Sequence, residues 1–363
     1  MSSTNFSAAN PLTVKVWARK AFSDAVKATM YGKLTGKSDR SIIQVKDDLK
    51  KGEGDRIRFG LRSLPQGLGV QEDEQLEGNE EGLDFRYFDI NLGEKRHAIK
   101  VDLNLSAQRT MFDVRQEAKD ALQEWLEEYL DTTFFEYITG AGKGPAGVSY
   151  YHRAGVLGGN SLLAPSADRI VYGGVGVTAK NAITVTDTMS LAVLDKVAER
   201  LKLASPTIRK ASFNGKNCWV VILHPYQVND LRANTNAGQW FDIQKAAMQG
   251  GKVADSLLFT EALGMYRDML LIESTRVPTF TDYGAGANIS AARAIVLGAQ
   301  AAVVAHGQET DEWGKLKLVE RTFDYGKRYG IGATLIWGMS KTRFDNQSDF
   351  ASFAVDTAAA QHN

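Results

Sequence analysis

The segment Gly32–Ser38 (GKLTGKS) has the residue types of a phosphate-binding loop, in which backbone N–H groups cradle phosphate and a lysine neutralises it. The spacing does not match. Such a loop needs four residues between its glycines, and only Lys33, Leu34 and Thr35 separate Gly32 from Gly36. Tyr31 stands where the first glycine belongs, so the segment reads as a basic turn after a helical pattern. Gly174–Ala179 (GVGVTA) fits a loose dinucleotide fingerprint, but no helical period follows it. Ile183–Thr186 alternates like a strand, which makes 174–179 a glycine-rich turn. His97, His152, His224, His306 and His362 include no pair at helical metal-ligand spacing and no HExxH. His224 precedes Pro225 after the apolar run Trp219–Leu223 and reads as a strand-end or helix-start residue. Cys218, beside Trp219, reads as a small buried hydrophobe, and a single cysteine excludes an internal disulfide or a cysteine-based zinc cluster. There is no GxSxG nucleophile elbow. The expectation is a protein that is not an enzyme, with no catalytic residues, cofactor or metal.

Composition narrows the class further. A chain of 363 residues suggests two or three domains. It carries 43 basic and 43 acidic residues, with 44% apolar and 24% charged, which excludes a disordered chain, a collagen repeat and a histone-like polycation. The longest nearly unbroken apolar run, Ala294–Ala305, is well short of the roughly 20 residues of a spanning helix. The first residues lack a basic n-region followed by an apolar core, so the expected setting is a reducing, soluble compartment.

The order of elements is more informative than any motif. Residues 1–49 form a basic arm in which Arg19 and Lys20 lie among Trp17 and Phe22 at roughly helical spacing. Residues 50–105 read as a long β-hairpin: Arg56–Leu64 and Leu83–Leu105 alternate in polarity. Between them, Pro65–Gly82 holds Glu72, Asp73, Glu74, Glu77, Glu80 and Glu81 and no basic residue. An arm of about 20 residues would reach roughly 66 Å, beyond a compact body. A helix is expected over about 106–138, with Met111, Val114, Ala118, Leu122, Trp125 and Tyr129 along one stripe and Leu122, Trp125 and Tyr129 facing the core. Asp113 and Gln116 suit a capping box if the regular helix starts late, and Gly140–Gly147 stops it. Loop-rich sequence follows to Thr186. Thr188–Leu203 is an amphipathic helix, Trp219–Leu223 a buried strand, and Pro225–Ala233 a helix with proline near its first turn. Ala262–Ile272 enters a strand, and Ala294–Ala305 is a helix or a strand. These make an α+β domain over about 190–305. Gly314–Phe323 and Arg328–Met339 are β runs joined through Asp324–Lys327 (DYGK), and the tail after Phe344 shows no packed pattern.

This order, with His224–Arg232 (HPYQVNDLR, with N-D-L-R at 229–232), Gly264–Ile272 (GMYRDMLLI), Phe323–Ile331 (FDYGKRYGI) and Gly338–Lys341 (GMSK), resembles the major capsid proteins of tailed bacteriophages with the Hong Kong 97 fold. Within them it resembles the podophage-type branch without a fused scaffolding domain, over about residues 5–345. The resemblance implies an α+β shell subunit that self-assembles as hexamers and pentamers around packaged double-stranded DNA. It implies an N-terminal arm (1–49), an extended hairpin loop (50–105) lying over a neighbour, a peripheral domain (106–189 and 306–345) with the spine helix, an axial domain (190–305) and a C-terminal tail (346–363). Implied partners are further copies of the chain, a portal, a separate scaffolding protein and non-specific DNA on the inner face, with a decoration protein left open and no membrane. The place of action is the virion, assembled in the host bacterial cytoplasm. An isopeptide weld between subunits, made by some relatives, is not expected here.

Two other readings share parts of this pattern. One is an encapsulin-like cellular compartment; the other is an α/β enzyme without a recognisable motif. The hairpin acids and the arm residues Trp17, Arg19, Lys20 and Phe22 are expected at contacts between subunits. Apolar anchors among the arm's charges suit a protein pocket better than a polyanion.

Overall fold

The computed structural model describes residues 29–46, 54–62, 70–71, 75, 77–82, 85–102, 113–143, 149–152, 156–213, 216–233, 262–307, 316–344 and 348–361. Four helices lie within them: α1 (Met30–Leu34), α2 (Val114–Thr139), α3 (Leu191–Leu203) and α4 (Pro225–Ala233). The first strands are β1 (Thr35–Gly36), β2 (Ile43–Lys46), β3 (Arg56–Arg62), β4 (Phe85–Asn91), β5 (Gly93–Asp102) and β6 (Ile170–Tyr172). After α3 come β7 (Ala211–Phe213) and β8 (Lys216–Leu223), and after α4 come β9 (Ala262–Tyr266), β10 (Met269–Glu273), β11 (Thr279–Tyr283) and β12 (Ile289–Leu297). The chain continues through β13 (Ala302–His306), β14 (Leu316–Phe323), β15 (Arg328–Lys341) and β16 (Ser352–Ala358).

One six-stranded sheet has the order β1-β2-β13-β15-β14, with β5 also on β15. Strand β15 is 14 residues long, enough to hold three antiparallel neighbours. It pairs with β5 along Arg328–Trp337, with β14 along Arg328–Leu335 and with β13 along Trp337–Lys341. The turn from β14 to β15 needs left-handed backbone at Asp324, Tyr325 and Gly326 (φ 52°, 48° and 91°), and glycine takes the last of these without a Cβ penalty.

Helix α2 lies across β5 and β15. Asp113 caps its start by accepting from the Arg115 N–H at 2.9 Å, and Gly140 ends it at φ 65°. Its 26 residues span about 39 Å. The helix therefore begins late, at Val114, and Gln116 bonds Asp120 rather than closing the capping box; 106–112, where the sequence placed its first turns, lie outside the described residues. Only the first half is amphipathic. From Tyr129 to Thr139 every residue is buried, polar ones included.

An eight-stranded sheet has the order β6-β16-β12-β8-β10-β9, with β11 on β12 and β7 on β8. Helix α3 starts at Ser190, whose side chain caps Val193 N–H, and buries Leu191, Leu194, Val197, Ala198 and Leu201 as their spacing requires. Helix α4 starts at His224 in a reciprocal cap. The His224 Nδ1 accepts from Tyr226 N–H at 3.2 Å, and Gln227 Oε1 accepts from His224 N–H at 3.1 Å.

Five sequence readings need correction. The alternating run 83–105 is not one hairpin arm: β4 pairs with β3, but after Leu92 the chain joins the six-stranded sheet as β5. The alternation continues because both sheets have one open face. Ile183–Thr186 is not a strand; a 3-10 turn at Lys180–Ala182 precedes it, and Asp187 accepts from Thr184 N–H and Oγ1. Ala262–Ile272 is two strands, β9 and β10, turned by Arg267 and Asp268 at positive φ. Ala294–Ala305 is also two strands, and they belong to different sheets: β12 to the eight-stranded one and β13 to the six-stranded one. The tail read as unpacked contains β16, buried at all seven positions between β6 and β12. Its alanines suit a strand covered on both faces, where alternation vanishes.

Candidate assembly surfaces

The β3–β4 hairpin has two unlike faces. Ile57, Phe59, Phe88 and Ile90 point inward and pack on Val303, Ala305 and Phe344. On the other face, Arg58 makes a two-point hydrogen bond to Asp89 at 2.7 and 2.8 Å and lies 4.4 Å from the Tyr87 ring centroid. Arg58 holds the Asp89 carboxyl below its ordinary range. Phe85 and Tyr87 stay exposed, at 63% and 52%. The hairpin root is thus fixed to the body while its outer face carries exposed aromatic rings. At the tip, Glu77, Glu80 and Glu81 are exposed, and Gly78 N–H donates to Glu80 at 2.7 Å. Glu72, Asp73 and Glu74 lie outside the described residues, as do Trp17, Arg19, Lys20 and Phe22. The described strands have seven residues each, so the paired arm reaches only about 23 Å.

The spine helix places its three expected core residues unequally. Leu122 and Tyr129 are buried, at 2% and 0% exposure. Trp125 is half-buried, stacked between His97 at 4.3 Å and Tyr129 at 5.3 Å between ring centroids. It closes the aromatic stack rather than sitting inside the core.

Asp131, two residues beyond Tyr129 on the same helix, holds the root of the N-terminal arm. Its carboxylate accepts from Met30 N–H at 3.3 Å and Tyr31 N–H at 3.0 Å. Burial raises the Asp131 pKa, opposed by those N–H groups and by Arg276, whose Nε lies 3.5 Å away. Arg276 also binds Glu128 at 2.6 Å.

Two further ionic groups lock β16 and its approach. Arg293 donates to both oxygens of Asp356 at 2.8 Å, and Tyr283 O–H donates to Asp356 Oδ2 at 2.5 Å. Lys341 Nζ lies 2.8 Å from Asp349, which also accepts two bonds from Arg343 at 3.0 and 2.6 Å. Burial pushes the Lys341 ammonium down to about 8 despite Asp349. Sequence reasoning missed both groups because the tail carried no pattern that said it was packed. All these titratable groups are held by fixed partners, and among the described residues no three His, Cys, Asp or Glu converge as metal ligands. Cys218 is buried and His224 is a helix cap, the roles their neighbours in sequence suggested.

Two packed sheets, a long helix laid across one of them and a hairpin rooted beside it define a shell subunit with the Hong Kong 97-like fold. The capsid of Ralstonia phage GP4 superposes over all of both chains with TM-score 0.81 and 30% identity. The capsid of cyanophage Pam1 does so with TM-score 0.70 at 20% identity, a likeness of fold alone. The major capsid protein of Pseudomonas phage KPP25 is 28% identical over 388 aligned positions, covering 98% of each chain. The model of the phage capsid protein family matches residues 5–361, and the chain belongs to that family. It is a structural component of a phage virion and not an enzyme, and membership decides against both the compartment and the α/β enzyme readings.

Proposed function

We propose that the chain is the repeating subunit of an icosahedral shell, arranged in hexamers and pentamers around double-stranded DNA. The observation that supports this best is the end-to-end likeness to the GP4 capsid at 30% identity, with arm, hairpin and both sheets all inside the match. In this reading the hairpin at 50–105 extends over a neighbour, 106–189 with 306–345 forms the peripheral domain, and 190–305 forms the axial domain. The sheet membership of β6, β13 and β16 makes that division one of surface position, since strands cross the sequence boundaries. Within 346–363, β16 then serves the core rather than a free tail. Assembly takes place in the host cytoplasm, with a portal and a separate scaffolding protein as partners.

The arm at 1–49 contacts neighbouring subunits rather than DNA. Its root supports this, because Asp131 fixes Met30 and Tyr31 to the spine helix. The test is electron microscopy of the purified chain expressed alone or with its scaffold, alongside a variant lacking residues 1–28. Closed icosahedral particles from the full chain support the shell. Closed empty shells from the truncated chain, with failure only to retain DNA, would assign the arm to the genome instead.

A further inference from the structure

The two sheets and the end of α2 meet around a small cavity. Lys341 ends β15, Ser352 opens β16, Arg293 lies in β12 and Thr139 ends α2. Together with Asp349 they line a space of about 10 Å³, room for one particle of a water's size. Its wall offers donors that nothing fills. An ammonium carries three N–H donors. Lys341 Nζ, 1% exposed, reaches one acceptor among the described residues, Asp349 Oδ2 at 2.8 Å. The Ser352 hydroxyl is buried and has no hydrogen-bond partner among the described residues.

The other side-chain oxygens on the wall are spent. Asp349 already accepts from Lys341, twice from Arg343 and from Ser166 N–H at 3.2 Å. The Thr139 hydroxyl donates to the Phe135 carbonyl at 2.6 Å and accepts from Ala141 N–H at 3.3 Å. Charge runs the same way. Lys341, Arg343 and Arg293 meet Asp349 and Asp356 here, three cations against two carboxylates, none more than 17% exposed. Arg169 has its own carboxylate, Asp168 at 3.4 Å, and leaves that surplus unchanged. Burial, only partly offset by Asp349, is what lowers the Lys341 ammonium to about 8, as an under-compensated charge requires.

We propose that this cavity binds one monatomic anion, chloride or a halide of similar size, held between Lys341 and Ser352. Such an ion accepts from the ammonium and from the hydroxyl, and so removes both unfilled donors and the surplus charge at once. A water would accept from Lys341 but bring O–H donors of its own to a wall short of acceptors, and it would leave the charge surplus in place. Phosphate, sulfate and carboxylates exceed the space. The ion ties the end of β15 in the six-stranded sheet to the start of β16 in the eight-stranded one. The site lies inside the subunit, so it stands independently of the shell reading.

The test is thermal melting of the soluble full chain titrated with sodium chloride, with sodium gluconate holding the ionic strength constant. The expected result is a melting temperature that rises to a plateau with chloride, as for a ligand bound by the folded state alone, and bromide reproduces it. Ser352→Ala removes a hydroxyl that no side chain uses, so the variant folds. It is expected to need at least about tenfold more chloride for half the rise, the loss of one hydrogen bond to a charged group. Lys341→Met is expected to melt in gluconate no lower than wild type and to show no chloride dependence. Equal melting of wild type in chloride and gluconate, the result a water-filled cavity gives, overturns the proposal. So does the same chloride response in wild type and Ser352→Ala, which would place the ion elsewhere on the protein.

Discussion

The indole N–H of Trp337 donates to the hydroxyl of Tyr129 at 2.8 Å, joining the longest strand to the spine helix by a hydrogen bond between two fully buried rings. Burial raises the Tyr129 phenol well above its ordinary pKa, so it stays protonated and neutral. Tyr129→Phe would keep the ring and leave the Trp337 N–H without its acceptor. The expected cost is about 1–3 kcal/mol, read as a lower denaturant midpoint with an unchanged slope.

Trp125→Ala is expected to cost less than the about 3–5 kcal/mol of a fully buried tryptophan, because one edge of the stack already meets solvent. The protein should stay folded and soluble, with a lowered melting temperature in calorimetry. Insoluble protein would place the ring deeper than the stack with His97 and Tyr129 does.

Asp349 neutralises Lys341 and Arg343 together. Asp349→Ala would strand the Lys341 ammonium, 1% exposed, at an expected cost of about 3–5 kcal/mol. Adding Lys341→Met should recover much of that loss. A second loss of similar size in the double variant would show that the lysine stem, and not its stranded charge, carries the effect.

His152 is buried, and burial, reinforced by Lys95, lowers its pKa to about 4. The unfolded chain takes up that proton at the ordinary histidine value near 6.5. Its contribution is therefore fully present above pH 6.5 and is lost as pH falls from there to about 4, reaching at most about 3 kcal/mol. Burial lowers His224 in the same direction. Urea melts of His152→Gln at pH 7 and pH 5 should show a smaller pH difference than wild type.

Local chemistry made part of this legible. The hydrophobic stripe of α3, the DYGK turn and the His–Pro start of α4 each rest on residues within one turn of each other, and each stands where its spacing puts it. The stripe of α2 was readable only in its first half, because buried polar residues such as Asp131 and Glu136 are satisfied by partners outside the helix: Tyr31 N–H, 100 residues away, for one, and Lys143 and Tyr150 N–H in the loop that follows for the other. Strand β16 left no alternation to read, since neighbours cover both its faces. The acidic tip was visible from its charge. Rows such as Lys100–Gly330–Arg321 and Ala98–Gly332–Val319 across β5, β15 and β14 exist only once three distant strands are set in register.

The position of β16 also sets a timetable for the life of the subunit. It follows every other described strand in the chain, yet it lies inside the eight-stranded sheet with a neighbour on each edge. Until residue 358 has left the ribosome, β6 and β12 cannot be joined and Arg293 has no Asp356 to bind. A nascent chain therefore presents hairpin and arm before it has a finished body to carry them.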